Sequence, residues 1–179
     1  MNAPFTAVVL AQLPAIQVIL PLLAAPLCVL VGRGQRAWVV ALVVSWCAFL
    51  TAWGLLNQVL AGGVIRYELG GWAAPWGIEY RIDEINAFVV LIVSAVSSLA
   101  LIFARASVAR EVPEEKCALF YCAWMLCLTG LLGITITGDA FNVFVFLEIS
   151  SLSTYVLVSL GSHRRALISA FRYLIMGPV

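Results

Sequence analysis

Long apolar runs separated by short polar connections dominate the chain. Five of them are long enough to cross a bilayer, which takes about 20 mostly apolar helical residues. The predicted membrane-spanning helices cover residues 12–32, 37–61, 85–104, 117–137 and 139–161. A sixth apolar segment, 166–179, makes about 21 Å of helix against roughly 30 Å of hydrocarbon. We therefore expect an all-α polytopic membrane protein with one membrane domain over residues 1–179, and a sequence that is the N-terminal part of a longer subunit.

Residues 62–84 have the period of β-strands instead. Apolar and charged side chains alternate on both sides of a Gly/Pro-rich centre, "GGWAAPWG", which is typical of two half-buried strands. The pattern predicts a β-hairpin between the second and third helices. One face would rest on the helices, with Trp72 and Trp76 at the level of the lipid headgroups.

Basic residues divide unequally between the two sides of the membrane. Three short connections contain Arg33, Arg36, Arg105, Arg110, Lys116, Arg164 and Arg165. The 62–84 connection has only Arg66 and Arg81. Because cytoplasmic loops have the excess of lysine and arginine, we predict that the short loops are cytoplasmic. The N-terminus and the hairpin would then lie outside the cell.

Composition agrees with a membrane protein. The chain is 64% hydrophobic and 11% charged, with a mean hydropathy of +1.07, whereas soluble domains are nearer half apolar and a quarter charged. The net charge of +1 and the absence of a basic run give no indication of a nucleic-acid partner.

The five cysteines do not form a metal or redox motif. No C-x-x-C pair occurs, and the steps from Cys117 to Cys122 to Cys127 rotate a helix by roughly 140° each, so these thiols cannot converge on one metal. We interpret all five as small buried residues. No cofactor, metal or redox centre is predicted.

One carboxylate lies deep within a predicted span. Glu148 is in "FNVFVFLEISSLSTYVLVSL", about 14 Å below the outer surface if Asp139 caps this helix. A charge at the bilayer centre costs at least ~2.5 kcal/mol, so residues of this kind are functional by default. Glu148 is therefore either a proton-binding acid or a structural acid satisfied by an ion pair.

Polar residues continue along the same helix face. Ser151, Tyr155, Ser159 and Ser162 follow Glu148 at steps of three and four, which places them on one side of a helix. A hydrated half-path that leads protons from Glu148 to the cytoplasm would have this pattern. The alternative is that the serines are small residues that let helices pack closely.

A second charge lies within an apolar segment. Arg172 would be about 10 Å from the cytoplasmic surface, level with Tyr155. Either it extends back to the cytoplasm along its aliphatic stem, or it leans toward Glu148 and lowers the proton affinity of that carboxylate. His163, at the membrane edge, is either a proton relay or an ordinary surface residue.

These segments resemble the proton-conducting antiporter-like subunits shared by Mrp-type cation/proton antiporters, complex I and membrane-bound hydrogenases. "YELGGWAAPWGIEYRIDEINAFVVLI" is most similar to the D-type subunit of the Mrp-type antiporter. "GDAFNVFVFLEISSLSTYVLVSLG" matches the GD-x-FN-x-FVF-x-E helix of the family, and "RRALISAFRYLIMG" matches the (K/R)-Y start of its sixth span.

The resemblance implies roles for particular residues. Glu148, which matches the glutamate of the family motif, would transfer protons, and Ser151 and Tyr155 remain candidates for its hydrated path by their spacing alone. The family position at Arg172 is basic and commonly lysine. Because arginine does not release its proton, Arg172 would tune Glu148 electrostatically without passing a proton on.

The resemblance also implies a function. The chain would belong to a proton-translocating subunit of a multisubunit cation/proton antiporter, without a redox centre, in the plasma membrane of a prokaryote. An alternative is a proton-pumping membrane-arm subunit of a complex I-like NADH-quinone oxidoreductase, and an alternative of another class is a truncated, structural or inactive membrane piece. The expected partners are other membrane subunits, the lipid bilayer, and protons, with sodium as a candidate second ion.

Overall fold

Six long helices and one β-hairpin form the part of the chain that the computed structural model describes, residues 10–32, 34–72 and 76–177. The helices are α1 (Leu13–Val31), α2 (Gly34–Gly62), α3 (Glu84–Glu111), α4 (Cys117–Ile136), α5 (Ala140–Ser159) and α6 (Arg164–Met176). The antiparallel strands β1 (Ile65–Glu68) and β2 (Glu79–Ile82) lie between α2 and α3. The first five helices are long and apolar enough to cross a membrane, which confirms the polytopic class.

The third helix is longer than the sequence pattern predicted. It ends at Glu111 rather than at residue 104, so Arg105 and Arg110 lie on its last turns and not in a loop. The added residues, "ARASVARE", include several good helix formers, so the helix continues past its apolar section. Pro113 then ends it, because the residue before a proline disfavours the α conformation, and Val112 is extended.

Small residues allow the first helices to pack closely. The buried face of α2 contains Ala37, Ala41, Ser45, Ala48 and Ala52. Gln17 of α1 is fully buried against this face, and its Nε2 donates to the Ala48 carbonyl at 3.1 Å. Since lipid tails are as apolar as leucine, association in a bilayer depends on close packing and on hydrogen bonds of this kind.

The prediction that the five cysteines are buried holds only in part. Cys28 and Cys117 are buried as predicted, whereas Cys122 and Cys127 are half-buried. The prediction is wrong for Cys47, which is exposed. Its side chain is on α2 but turned away from the row of small residues, because it lies two residues from Ser45 and helical residues advance by about 100° each.

The hairpin has the predicted form, with one face on the helices. Tyr67 pairs with Tyr80 in the strand register, and their rings stack with centroids 6.5 Å apart. Tyr80 and Ile82 are buried, whereas Trp72 and Trp76 are exposed. Residues 73–75, at the centre of the predicted turn, lie outside the described residues.

The connections gather at two opposite ends of the helices. At the first, which we call the basic end, the Ser162 amide donates to the Glu111 carbonyl at 2.9 Å. At the second, the hairpin end, the Gly138 amide donates to the Glu79 carbonyl at 2.9 Å. The α4–α5 connection therefore lies beside the hairpin, and the α5–α6 connection beside the end of α3. Which end faces the cytoplasm stays a prediction.

Candidate functional site

Helix α5 has one face that packs tightly on α4. A Cβ added to Gly130 of α4 would lie 2.7 Å from the Ser150 Cβ and 2.7 Å from the Phe146 carbonyl oxygen. A Cβ on Gly133 would collide with the Phe146 ring. The two backbones are thus in close contact, and this contact sets the rotation of α5 about its axis.

Polar groups on the packed face are satisfied within the helix pair. The Ser153 hydroxyl donates to the Ile149 carbonyl at 2.6 Å, and the Thr154 hydroxyl donates to the Ser150 carbonyl at 2.8 Å. The Cys127 sulfur lies 3.5 Å from the Thr154 hydroxyl oxygen. The hydroxyl hydrogens of Ser153 and Thr154 are therefore donated to the backbone of α5 itself.

Glu148 lies on the other side of α5. It is two residues from both Phe146 and Ser150, and at about 100° per residue its side chain is directed away from α4. It is about 12 Å along the helix from Ala140 and about 17 Å from Ser159, near the middle of the span, and it is half-buried. The one ion pair among the residues that the structure describes joins Arg66 and Glu79 at 3.9 Å, so no cation pairs with Glu148 here.

A groove between α5 and α6 continues from this position. Ser151 and Tyr155 line it together with Tyr173 of α6 and with Gly177, which follows that helix, and its volume is about 380 Å³. The rings of Tyr155 and Tyr173 meet edge to face, with centroids 5.4 Å apart. A Cβ on Gly177 would collide with the Tyr155 hydroxyl. The structure thus brings Ser151 and Tyr155 to one groove, whose lining on α5 begins at Ser150, two residues beyond Glu148.

Arg172 is not brought to Glu148. Its neighbour Tyr173 contacts Tyr155, so Arg172 lies at the level of Tyr155, as the residue count predicts. Being one residue earlier, it is rotated by about 100° from that contact, and its side chain is exposed.

The remaining residues of the polar face lie near the basic end. Ser159 donates to the Val156 carbonyl at 2.7 Å, and Ser162 and His163 are exposed. The polar face of α5 is therefore continuous from Glu148 to this end of the molecule, with the groove covering its middle section.

Two features of the site were missed by reading the sequence. Tyr173 and Gly177 close the groove, although nothing in their spacing relates them to Tyr155. Gly130 and Gly133 set the position of α5, and here a signal existed, because small residues within an apolar span mark close helix contacts.

No family model matches the chain, but individual known proteins are similar enough to show its family. A protein named NADH-quinone oxidoreductase subunit N from Desulforudis audaxviator is 37% identical over 170 residues, which are 93% of this chain and 34% of that protein. The D subunit of a Na(+)/H(+) antiporter from Alkalihalophilus pseudofirmus is 34% identical over 122 residues, which are 68% of this chain and 24% of that protein. The chain belongs to the antiporter-like membrane subunits.

Two solved structures are similar to this antiporter-like protein. A chain of the membrane-bound sulfane sulfur reductase, an archaeal respiratory membrane complex, has a TM-score of 0.83 and 29% identity, over 93% of this chain and 34% of that chain. A chain of the Mrp complex from Dietzia sp. DQ12-45-1b has a TM-score of 0.79 over 93% of this chain and 31% of that chain, and its 24% identity shows the fold alone. The described chain thus spans about a third of the length of these relatives, and both solved relatives are part of larger complexes.

Proposed function

We propose that the chain is part of a proton-translocating membrane subunit of a multisubunit cation/proton antiporter, in which Glu148 takes up and releases the proton. One observation carries the proposal: a carboxylate lies in the middle of a span, on the face of α5 that does not pack on α4. The relative named as a Na(+)/H(+) antiporter component supports the choice of activity.

The position of Glu148 suits a group that changes its protonation state. A cation close to a carboxylate favours its charged form. Approach of a cation at the open face would then release the proton, and withdrawal of the cation would let the carboxylate take one up. Arg172 keeps its charge throughout, so its role in this proposal is to bias Glu148 by its field.

The groove beside Ser151 and Tyr155 supplies the path. A volume of about 380 Å³ has room for roughly ten waters at ≈ 30 Å³ each. The two hydroxyls line this space and would hydrogen-bond to a water chain, which conducts protons between the basic end and Glu148. With the basic end in the cytoplasm of a prokaryote, protons would enter this half-path from the cytoplasmic side.

Replacement of the carboxylate tests the proposal. Glu148→Gln keeps the size and hydrogen bonding of the side chain but cannot bind and release a proton. We therefore expect proton-coupled cation transport to fall by at least about tenfold, a lower bound on what the loss of a positioned proton-transfer group costs in enzymes. Glu148→Asp should retain part of the activity. The measurement is dye-monitored antiport in everted vesicles that contain the complete set of partner subunits, with an immunoblot to compare the abundance of each variant.

Control variants separate the site from general damage. Glu68→Gln removes an exposed carboxylate of the hairpin and should leave transport unchanged. Ser151→Ala and Tyr155→Phe should cost less than Glu148→Gln, because a water can replace one lost hydroxyl. Normal transport by Glu148→Gln at normal abundance would make the glutamate structural and refute the proposal.

A second function is favoured by the relative named NADH-quinone oxidoreductase subunit N. Here the same glutamate would serve a redox-driven proton pump. Vesicles separate the two candidates: an antiporter dissipates an existing proton gradient when sodium or potassium is added, whereas the pump builds a gradient when NADH is added. Glu148→Gln should abolish whichever of these responses the wild-type complex shows.

A further inference from the structure

A separate cavity lies at the basic end, away from the face of Glu148. It is formed by the first turn of α2, the last turns of α3 and the start of α4, and its volume is about 350 Å³. This is at the low end of the ~300–1,000 Å³ typical of small-molecule sites. The polar side chains that line it include Gln35, Arg105, Glu114 and Tyr121.

Arg105 is held at this cavity by an aromatic support. Its guanidinium lies 4.9 Å from the centre of the Trp38 ring, a favourable cation–π arrangement. The Trp38 indole N–H in turn donates to the Leu101 carbonyl at 2.8 Å, which holds the ring in place. The exposed Arg105 side chain is thus supported by a ring that is itself held in place.

Opposite charges face the same cavity without pairing. Arg66 and Glu79 form the single ion pair among the described residues, so neither Arg105 nor Glu114 pairs with another described side chain within 4.0 Å. Two groups of opposite sign that do not pair with each other suit a ligand that has both an anionic and a cationic group. They do not suit a simple anion, which Glu114 would repel.

The cavity lies at the level where lipid headgroups begin. From Glu84 to Arg105, α3 rises about 32 Å at 1.5 Å per residue, against roughly 30 Å of hydrocarbon. The position of Trp38 at this level fits the enrichment of tryptophan at membrane interfaces. A second groove of about 500 Å³ is lined by Gln35, Arg36, Val39 and Val40. It shares Gln35 with the cavity and reaches, at Val39 and Val40, one turn nearer the bilayer centre.

We propose that this cavity binds the headgroup of phosphatidylethanolamine. The phosphate would accept hydrogen bonds from Arg105 and from the Gln35 amide, beside the N-terminal turn of α2, where anions are favoured. The primary ammonium would donate to Glu114. An acyl chain would leave along the groove at Val39 and Val40.

The chemistry distinguishes this lipid from its common alternatives. Phosphatidylglycerol has the phosphate but no ammonium, so Glu114 would be left facing a net negative headgroup. Phosphatidylcholine is zwitterionic, but its quaternary nitrogen has no N–H to donate, and a charge-assisted hydrogen bond to the carboxylate is lost.

Native mass spectrometry of the full chain, titrated with the three lipids at identical acyl composition, tests the proposal. We expect phosphatidylethanolamine to bind tightest, by about tenfold, the order of one charge-assisted hydrogen bond. Arg105→Gln should weaken its binding by a similar factor. Glu114→Gln should leave phosphate binding intact and make phosphatidylethanolamine and phosphatidylglycerol bind equally.

Arg66→Gln, at the hairpin end, is the matched control and should change none of these affinities. Glu114 lies in an exposed turn, so its variant tests the site even if Arg105→Gln does not fold. Equal binding of the three lipids by the wild-type chain, a preference for phosphatidylglycerol, or unchanged selectivity in Glu114→Gln would each overturn the proposal.

Discussion

At the scale of single residues, Tyr80 shows how burial outside the spans alters proton affinity. Burial raises the pKa of Tyr80 above its ordinary range, and repulsion from Tyr67 across the strand pair raises it further. The folded chain therefore holds this proton more tightly than the unfolded chain does. Tyr80 contributes stability below the unfolded pKa of about 10, and this contribution is lost as the pH rises through the higher pKa of the folded state.

We predict that the difference titration between the wild-type chain and Tyr80→Phe has its midpoint above pH 10, the tyrosine reference value. The measurement is the ultraviolet absorbance of tyrosinate in detergent-solubilised protein, repeated in denaturant, where the midpoint should return to about 10. A midpoint at the reference value in the folded protein would mean that the hairpin does not rest on the helices.

Residue-level reading of the sequence found Glu148 but not its surroundings. A carboxylate within an apolar run stands out because its burial is costly, so one position is enough to identify it. Whether Arg172 faces Glu148 depends on the rotation of α6, and that rotation is set by contacts of Tyr173 and Gly177 with Tyr155. Contacts between helices that are distant in sequence leave no local pattern.

At the scale of elements, the α4–α5 contact determines where the polar face of α5 points. We predict that Gly130→Ala destabilises the folded chain by about 1–3 kcal/mol, the usual cost of overpacking, because the new methyl would overlap the backbone of α5 at Phe146 and Ser150. The measurement is the thermal unfolding midpoint in detergent.

Gly62→Ala is the matched control, since a Cβ there would meet nothing within 4 Å. Alanine is a better helix former than glycine by ≈ 1 kcal/mol, so this variant should be neutral or slightly stabilised. If Gly130→Ala were as stable as Gly62→Ala, the two helices would be farther apart than the structure places them.

Element boundaries were predictable where apolar composition and helix ends coincide. The fourth span satisfies this condition, since Ile136 lies within one residue of the predicted end. In α3 the two differ: the apolar stretch ends near residue 104, whereas the helix continues to Glu111. Hydropathy predicts only the part of a helix that lies in the hydrocarbon. A helix that extends into the headgroup region is therefore longer than its apolar stretch.

At the scale of the whole molecule, the fold separates two ends with different chemistry. The grouping of connections follows from alternation of spans and was predictable by counting them, whereas the cavity at the basic end was not, because it requires α2, α3 and α4 to meet. The sidedness depends on basic residues, which favour the cytoplasm.

We predict that the basic end is cytoplasmic and the hairpin end is outside. In a background with all five cysteines replaced by alanine, Gln35→Cys should react with a membrane-impermeant thiol reagent only after the cells are opened, whereas Glu68→Cys should react in intact cells. Both side chains are exposed, so access to the reagent depends on the membrane and not on packing. A permeant reagent that labels both variants equally is the control. Labelling of Gln35→Cys in intact cells, with Glu68→Cys protected, would invert the topology and place the groove from Glu148 toward the outside.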